Sequence, residues 1–474
     1  MKKFLISTFA MCFSASVLAG GLNTNSNQNA SFERQMSQNG IIDLAGLYAN
    51  PAGTAFLANG WHLSYSHMSV WQQRNITTTF PLFAMNTANP GEKTHKFKGT
   101  AKAPVVPSIS ASYNHNKWSV NAHFAVTGGG GKCTFPNGLG SFESLVAGTI
   151  AKNLPSFRGY SMESQMEGHS YVFGGQFGAT YKVIPNLSVF GGVRVVYGTN
   201  GYDGYIKNIT AVIPNPADPT TNISMTAEQA PQLSDVTLDC SQKGWGVTPV
   251  IGLDWKASEY LNLGVKFEAP TKMVYKNSST LSPAAQAASD LAKFRDGYKV
   301  REDLPAILSM GAMATPFEGL RLMTGWNVYF DSGVRKSVTA DDGTEIVSLY
   351  KAGEYRRSDP NSDLMIRDID ANTWELNIGV EYDLNKYVTV SGSWQRTVYG
   401  ISDTGISDLS FNNTNNMFAF GVRVKPTQHL SFDLGFMHTI YHDRSVTTST
   451  AAGYKNDLFI RKNDVLGVGI NYEF

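Results

Sequence analysis

The chain has 474 residues, with 39 Lys and Arg against 38 Asp and Glu, and its formal net charge of +1 gives no global field for a nucleic acid or another strongly charged partner. Aromatic residues make up 12% of the chain, charged residues only 16%, and there are 45 glycines. This composition is rich in strand and turn formers and poor in salt-bridged surface, so it argues against a bundle of charged helices.

The N-terminus has the pattern of an export signal. Lys2 and Lys3 precede an apolar run from Phe4 to Leu18, and Val17-Leu18-Ala19 places small residues where a signal peptidase cleaves. We therefore expect residues 1–19 to be a signal peptide. The run is shorter than the roughly 20 residues of a membrane-spanning helix, and no apolar stretch of comparable length follows it, so helical spans are not expected.

Residues 20–59 show no two-residue alternation. Their second half, from Ile41 to Leu57, is nevertheless too apolar to remain a free tail in water. Because the segments that follow indicate a barrel, the lumen of that barrel is the available place to bury it. We predict that residues 20–59 form a hatch that plugs the lumen.

Residues 60–474 contain recurrent segments in which apolar and polar residues alternate, as in a strand with one apolar face. Each is close to the roughly 9 to 11 residues that cross a bilayer in a tilted strand. The fourteen segments are 60–71, 107–115, 117–127, 169–183, 187–199, 243–256, 260–269, 303–316, 319–330, 373–383, 387–397, 416–425, 429–441 and 464–474. The prediction is an all-β fold: a membrane-spanning, antiparallel, up-and-down β-barrel of about 14 strands.

Short turns alternate with long loops between these segments. Turns such as 114–116, 184–186 and 384–386 are rich in Pro, Asn and charge, whereas the intervening loops run to tens of residues. An even number of strands with short periplasmic turns leaves both termini in the periplasm. A sixteen-stranded barrel is the main alternative, with the extra hairpin in 198–242 or 331–372. A soluble β-sandwich would not explain aromatic residues at strand ends, such as Trp61 and Trp71.

Three further features lie outside or at the end of the predicted strands. Residues 142–154 and 284–294 have helical spacing within loops and are candidates for an external hydrophobic groove. Cys133 and Cys240 fall in predicted loops, where an oxidising compartment permits a disulfide. The last strand alternates up to a terminal aromatic residue, Phe474.

The segment before the first strand resembles the plug motif of the FadL family, outer-membrane transporters of long-chain fatty acids and other hydrophobic compounds. The resemblance rests on Asp43, Ala45-Gly46 and Asn50-Pro51-Ala52. It extends to later elements in the family order, namely Pro270-Thr271-Lys272, Leu304 to Gly311, Gly319 to Leu322 and Gly325-Trp326-Asn327. It implies that the hatch moves during substrate passage, and that Phe474 is the signal read by the barrel-assembly machinery. An ordinary turn is the alternative for Asn50-Pro51-Ala52.

The side chains predicted to point into the barrel are a mixture of apolar and polar residues. This mixture favours apolar cargo over ions or sugars. Candidate apolar contacts are Met68, Phe190, Ile307, Met313, Met323 and Met437, which could instead pack against the hatch. Candidate contacts for a carboxylate head group are Arg194, Lys266, Arg321 and Arg423. Each of these four could instead pair with an inward acid such as Asp254, Glu268, Glu375 or Asp433.

Four consecutive glycines, Gly128, Gly129, Gly130 and Gly131, follow the third strand. Glycines at a strand end permit a bend, and in the FadL family a kinked third strand opens the wall sideways to the membrane. The resemblance thus implies passive uptake of long-chain fatty acids or similar compounds across the bacterial outer membrane, by a monomer in contact with outer-membrane lipid. An importer of aromatic hydrocarbons and a non-specific porin are the alternatives.

No cofactor, metal or nucleic acid is expected, and no enzymatic activity. The histidines on predicted strands are accompanied by neither a Ser nucleophile motif nor a metal-spaced His pair.

Overall fold

A closed ring of fourteen antiparallel strands forms the wall of the protein in its computed structural model, which describes residues 29–357 and 363–474. The predicted signal peptide lies outside these residues. The barrel strands are β1 Gly60–Thr79, β2 Thr94–His115, β3 Trp118–Phe135, β4 Gly159–Ile184, β5 Leu187–Asn215, β6 Val236–Lys256, β7 Leu261–Glu268, β8 Ile307–Phe317, β9 Leu320–Tyr329, β10 Thr373–Asn385, β11 Val388–Val398, β12 Asn415–Val424, β13 Leu430–Tyr441 and β14 Gly453–Glu473.

Each barrel strand pairs with the next along the chain, and β14 closes the ring on β1. The closing register runs from His62 opposite Glu473 to Thr79 opposite Asn456. At the short-turn end, the backbone of Trp61 exchanges two hydrogen bonds with that of Phe474, at 2.7 and 2.9 Å. The predicted count of fourteen strands is therefore confirmed.

The sixteen-strand alternative is wrong, although its two suspected loops do contain hairpins. Residues 218–225 pair with the end of β5, and residues 335–339 pair with 345–351. These strands extend the sheet beyond the long-loop end, where β5 already pairs with β6. They do not enter the ring because every membrane-level strand already has two neighbours.

Several strands extend beyond their predicted limits at the long-loop end. β1 continues to Thr79 rather than 71, β2 begins at Thr94 rather than 107, and β14 begins at Gly453 rather than 464. The physical reason is that lipid contact, which produces the alternation, stops at the membrane edge, while backbone pairing continues beyond it. Cys133 and Cys240 therefore lie on β3 and β6 rather than in loops, and both are buried free thiols.

Aromatic residues mark the two edges of the lipid-facing band. Trp61 and Trp71 on β1 are 45% and 46% exposed, and Trp245 and Trp255 on β6 are also exposed. Ten residues of strand, tilted by about 40°, rise about 25 Å, which matches the apolar band of an outer-membrane barrel. The fold therefore fits the bacterial outer membrane.

Short helices occur in the N-terminal segment and in the loops. The α-helices are α1 Ala30–Arg34, α2 Gly140–Asn153 and α3 Pro283–Ala287; the 3-10 helices are Leu44–Gly46, Pro51–Phe56, Pro81–Met85, Pro231–Leu233, Ser289–Phe294, Asp331–Gly333 and Asp403–Gly405. Further loop strands are Val274–Leu281, Lys299–Glu302, Arg356–Arg357, Met365–Ile366 and Arg444–Thr450. Among the described residues, no helix is long and apolar enough to cross a bilayer.

Among the buried apolar clusters of the described residues, one lies outside the ring and another lies inside it. At the long-loop end, α2 packs with Phe80, Phe83 and Tyr160 into the largest hydrophobic cluster, which covers the barrel mouth. Within the ring, residues 29–57 form the lumenal segment, whose Phe32 and Met36 pack against Met68 of β1 and Met437 of β13. The core of this barrel is thus supplied largely by its own N-terminal residues.

Candidate functional site

The lumenal segment begins with two side-chain caps. Asn29 accepts a hydrogen bond from the Phe32 amide at 2.8 Å and starts α1. Asp43 accepts from the Ala45 amide at 2.8 Å and starts the 3-10 helix Leu44–Gly46. Pro51 occupies the first turn of the next 3-10 helix, where its missing N–H costs nothing. The local sequence therefore folds this segment into short turns without strand pairing.

The predicted hatch motif holds the lumenal segment to three wall strands. Asp43 forms an ion pair with Arg423 of β12, and Asn50 donates to Asp254 of β6. The carbonyl of Ala52 accepts a hydrogen bond from Ser188 of β5 at 2.7 Å. These contacts span non-adjacent parts of the wall. An anchoring role for the motif is consistent with this geometry, and movement of the segment remains a prediction.

Two of the predicted head-group residues share one acid. Arg194 contacts Glu268 at 2.6 Å and Lys266 contacts the same carboxylate at 2.6 Å. Both cations also lie over the ring of Tyr48, at 4.4 and 4.5 Å from its centroid, and Lys266 donates to the Tyr48 carbonyl at 2.7 Å. The triad of Arg194, Lys266 and Glu268 thus fixes the middle of the lumenal segment against β5 and β7.

The other two predicted head-group residues are paired as well. Arg423 makes two hydrogen bonds to Asp433, at 2.7 and 2.8 Å, besides its ion pair with Asp43. Arg321 binds Glu381 at 2.9 Å and Asp383 at 2.8 Å. All four candidates thus have an acidic partner, which is the alternative that the sequence left open. Each of the four cations therefore already has an ion-pair partner within the protein, although Arg194 and Lys266 share theirs.

Four of the six predicted apolar lumen contacts pack against the lumenal segment or bind it. Met68 and Met437 lie in the cluster with Phe32, and Phe190 packs against Ala52. The sulfur of Met323 accepts a hydrogen bond from Gln35 at 2.7 Å. Ile307 is buried and Met313 is half-buried, and neither belongs to these clusters. Of the six, Met437 also lines a cavity at the wall.

The wall is open between β2 and β3 at the height of the four glycines. The two strands pair from Ile109 to His115 and again at Thr100 and Ala101, but residues 102–108 and 125–132 do not pair with each other. β3 bulges against β4 at Thr127 and Gly130, and Gly129 and Gly131 have φ angles of +121° and +70°. Glycine is required here because L side chains rarely adopt such angles. We call this interruption the wall gap.

Two cavities meet at the wall gap and share Gly129, Gly130 and Gly131. The first has a mixed lining: Glu33 and the polar residues Gln72, Lys102, Arg461 and Asn463, and the apolar residues Val70, Ala103, Val106, Val126, Met437 and Val465. The second lies farther out and is lined by Arg74, Cys133, Ser170, Phe411 and Arg461, among others. The wall gap thus lies where the two cavities meet, and the first of them reaches the lumenal segment at Glu33.

A third cavity, of about 160 Å³, is apolar and lies in the external loops. It is lined by Leu145, Val146 and Ile150 of α2, by Ile206 and Ile209 of β5, by Leu233 and by Ala288. The predicted loop helices 142–154 and 284–294 are confirmed as α2 and as α3 with the following 3-10 helix. These loop elements together form an external hydrophobic groove.

Glu33 is a carboxylic acid buried in the lumenal segment, and its Oε2 has no hydrogen-bond partner. Burial raises the pKa of Glu33 from 4.5 to about 8. Because the unfolded chain ionises at lower pH than the native one, this residue costs native stability increasingly from pH 4.5 up to about pH 8, and the cost is constant above that. The neutral form is the one that the lumenal segment accommodates at moderately acid pH.

We expect Glu33→Gln to remove this pH dependence. The difference in free energy of unfolding between E33Q and the unmodified protein should be largest above pH 8, in favour of the variant, and should shrink as the pH falls towards 4.5. Denaturant unfolding between pH 4 and 9 measures it. Glu228→Gln, at an exposed loop position, is the matched control, and an E33Q difference independent of pH would contradict the expectation.

Arg74 and Arg461 were missed by the sequence analysis. Both lie beyond the predicted ends of the first and last strands, at 71 and 464, so they were counted as loop residues. The signal that would have found them is the ring closure itself, since pairing the first strand with the last beyond the membrane edge brings the two arginines face to face.

Among the described residues, no cluster of His, Cys, Asp or Glu is suited to hold a metal ion.

This architecture is that of a fourteen-stranded membrane β-barrel with an occupied lumen and an interrupted wall. This fold is found in solved structures, and three of them are described here. A Pseudomonas aeruginosa FadL homologue aligns with a TM-score of 0.66 and 14% identity over 96% of this chain and 100% of its own. The Pseudomonas putida toluene transporter TodX aligns at 0.57 and 12% identity, over 96% and 100% of the two chains. The Ralstonia pickettii toluene transporter TbuX aligns at 0.54 and 12% identity, over 91% and 94%.

These similarities establish the fold of FadL and of the toluene channels for this chain. No family model and no curated protein sequence matches it. The likeness predicted from the plug motif and from the elements on strands seven to nine is therefore confirmed at the level of architecture. At such low sequence identity, the shared fold does not show which compound this chain carries.

Proposed function

We propose that this protein is an outer-membrane channel for the uptake of hydrophobic compounds, with long-chain fatty acids as the preferred class. The observation that carries the proposal is the combination of an axis blocked by the lumenal segment and a wall that is open sideways at the wall gap. Such a barrel has no wide aqueous path for ions or sugars. An apolar molecule can instead leave the lumen directly into the bilayer.

The proposed path is passive and has three stages. Cargo partitions into the external hydrophobic groove, moves to the cavity beside Val70 and Met437, and leaves through the wall gap. Each stage offers apolar side chains to the cargo, so no nucleotide or covalent step is required. Movement of the lumenal segment at Asn50-Pro51-Ala52 admits cargo into the lumen.

Import of aromatic hydrocarbons is the second candidate, and the structural likeness to the toluene transporters TodX and TbuX favours it. The test is uptake into proteoliposomes of a radiolabelled long-chain fatty acid and of radiolabelled toluene, each compared with protein-free liposomes. Faster uptake of the fatty acid supports the preferred class, and faster uptake of toluene alone supports the second. Equal uptake with and without protein would overturn the channel proposal.

Single-channel recording separates this channel from a non-specific porin. We expect low conductance because the lumenal segment fills the ring, whereas a porin of this strand number would conduct steadily.

We also propose that the chain acts as a monomer, surrounded by outer-membrane lipid, and that Phe474 is read during assembly. The Phe474 ring is 60% exposed on the outer face, next to Tyr472, and is therefore accessible to such machinery.

A further inference from the structure

Three lysines lie side by side on the outer face of the barrel, on strands that do not border the wall gap. Lys243 of β6 is directly opposite Lys276 of the loop strand Val274–Leu281, and Lys276 is directly opposite Lys299 of the loop strand Lys299–Glu302. Neighbouring strands are about 4.8 Å apart, so the three Cα atoms span about 10 Å. We call these three residues the lysine row.

The side chains of the lysine row point away from the barrel and are not neutralised. All three lysines are exposed, whereas Gln242, Tyr275 and Asn277, which alternate with them along the strands, are buried. Among the side chains that the structure describes, no carboxylate forms an ion pair with the row. Like charges in directly opposite positions destabilise a sheet. The row therefore concentrates positive charge on a small area at a cost that no ion pair within the described chain offsets.

The lysine row lies just beyond the membrane edge at the long-loop end. Trp245, which marks this edge, is two residues from Lys243 on the same face of β6, and its side chain is 67% exposed. Two residues of strand correspond to about 7 Å. The ring of Trp245 packs against Tyr197 of β5, with 4.6 Å between the centroids, and such aromatic residues are typical of a membrane–water interface. Because the short turns of such barrels are periplasmic, the row lies at the level of the head groups of the outer leaflet.

The outer face between the lysine row and the short-turn end is apolar. Val247 and Ile251 of β6 and Val193 and Val195 of β5 continue the face of Trp245 and are exposed. A molecule that matches the whole surface has several negative charges in its head group and acyl chains that enter the bilayer. The phosphorylated glycolipids of the bacterial outer leaflet have this form.

We propose that the lysine row binds the phosphate groups of a lipid of the lipid A type, while the acyl chains of that lipid lie on the apolar face below Trp245. Each ammonium group donates up to three hydrogen bonds, and phosphate oxygens accept them. The bound phosphates supply the counter-charge that the row lacks. The site lies on the outside of the barrel and takes no part in the cargo path, so the inference goes beyond the proposed function.

The test is equilibrium binding of two lipids to the full-length protein in non-ionic detergent micelles at low salt. The lipids are lipid A with two phosphates and the same molecule with both phosphates removed. We expect the phosphorylated form to bind roughly 10- to 100-fold more tightly, because each lysine near an anionic lipid surface contributes about a factor of five. The preference should fall as the salt concentration rises, since the lysines are exposed and salt screens their charge.

Two variants with the same change in net charge make the test specific to the lysine row. Replacing all three of its lysines, as Lys243→Gln/Lys276→Gln/Lys299→Gln, should abolish the preference for the phosphorylated form. The matched control removes three exposed lysines at the short-turn end and should keep the preference; it is Lys117→Gln/Lys386→Gln/Lys425→Gln.

Three results would overturn the inference. The first is equal binding of the two lipids by the unmodified protein, a comparison that needs no variant. The second is an equal loss of preference in both triple variants, which would assign the attraction to net charge. The third is displacement of lipid A by inorganic phosphate at matched ionic strength, which would identify a site for free anions. None of these measurements involves cargo uptake, so the channel proposal is tested independently.

Discussion

Glu268→Gln should lower the free energy of unfolding by about 3–5 kcal/mol, the cost of removing one partner from a buried ion pair. Glu268 is 2% exposed and is the carboxylate shared by Arg194 and Lys266. Its neutral replacement leaves two buried cations side by side, with neutral partners alone: the ring and carbonyl of Tyr48 and the side-chain oxygen of Gln176. Chemical denaturation of the protein in lipid vesicles, followed by tryptophan fluorescence, measures the change.

Two further variants make this prediction specific. Glu163→Gln removes an exposed carboxylate on β4 and should change stability by less than about 0.5 kcal/mol. Adding Lys266→Met to Glu268→Gln removes one of the two uncompensated cations, so part of the loss should be recovered. If E268Q were as stable as the unmodified protein, the triad would not hold the lumenal segment to the wall.

Gly129→Val/Gly131→Val should reduce fatty acid uptake by about tenfold, equivalent to ~1.4 kcal/mol on the barrier. Valine disfavours the positive φ angles of these positions, so β3 should straighten. A Cβ atom at Gly129 would also lie 2.3 Å from the Ser170 carbonyl oxygen, which forces the bulge to rearrange. Both new side chains would intrude on the two cavities at the wall gap. Initial uptake rates in proteoliposomes measure the effect.

The control imposes the same backbone cost elsewhere. Gly91 and Gly343 also have positive φ angles, of +86° and +90°, and a Cβ atom at either would meet nothing within 4 Å. Gly91→Val/Gly343→Val should therefore leave uptake unchanged. If the variant at the wall gap folded normally and still transported at the original rate, cargo would leave past the lumenal segment along the barrel axis instead.

The strands illustrate how far the sequence could predict this fold. All fourteen barrel strands were located from alternation because lipid on one side and a filled lumen on the other impose a period of two on every strand. The outer parts of β1, β2 and β14 were missed because water replaces lipid there, and alternation fades while pairing persists. Arg74 and Arg461 lie in these outer parts, so the alternation did not place them on strands.

The features of the candidate site likewise divide into those that the sequence could predict and those that it could not. The glycine run and the plug motif were visible locally, since backbone freedom and turn chemistry are properties of a few consecutive residues. The partners of Arg194, Lys266, Arg321 and Arg423 were not, because strand register decides which inward side chains meet, and the sequence offered several acids at plausible heights.

The amino-acid sequence by itself thus indicated a membrane-spanning barrel of about fourteen strands, because solvent polarity on each face of a strand is recorded in every second residue. It indicated a hatch because residues 20–59 are partly apolar but lack this alternation. Only the tertiary structure decided which charges are balanced and where the wall is open. Ion pairing and wall pairing both join residues from distant parts of the chain, and their distances are set when the ring closes around the lumenal segment.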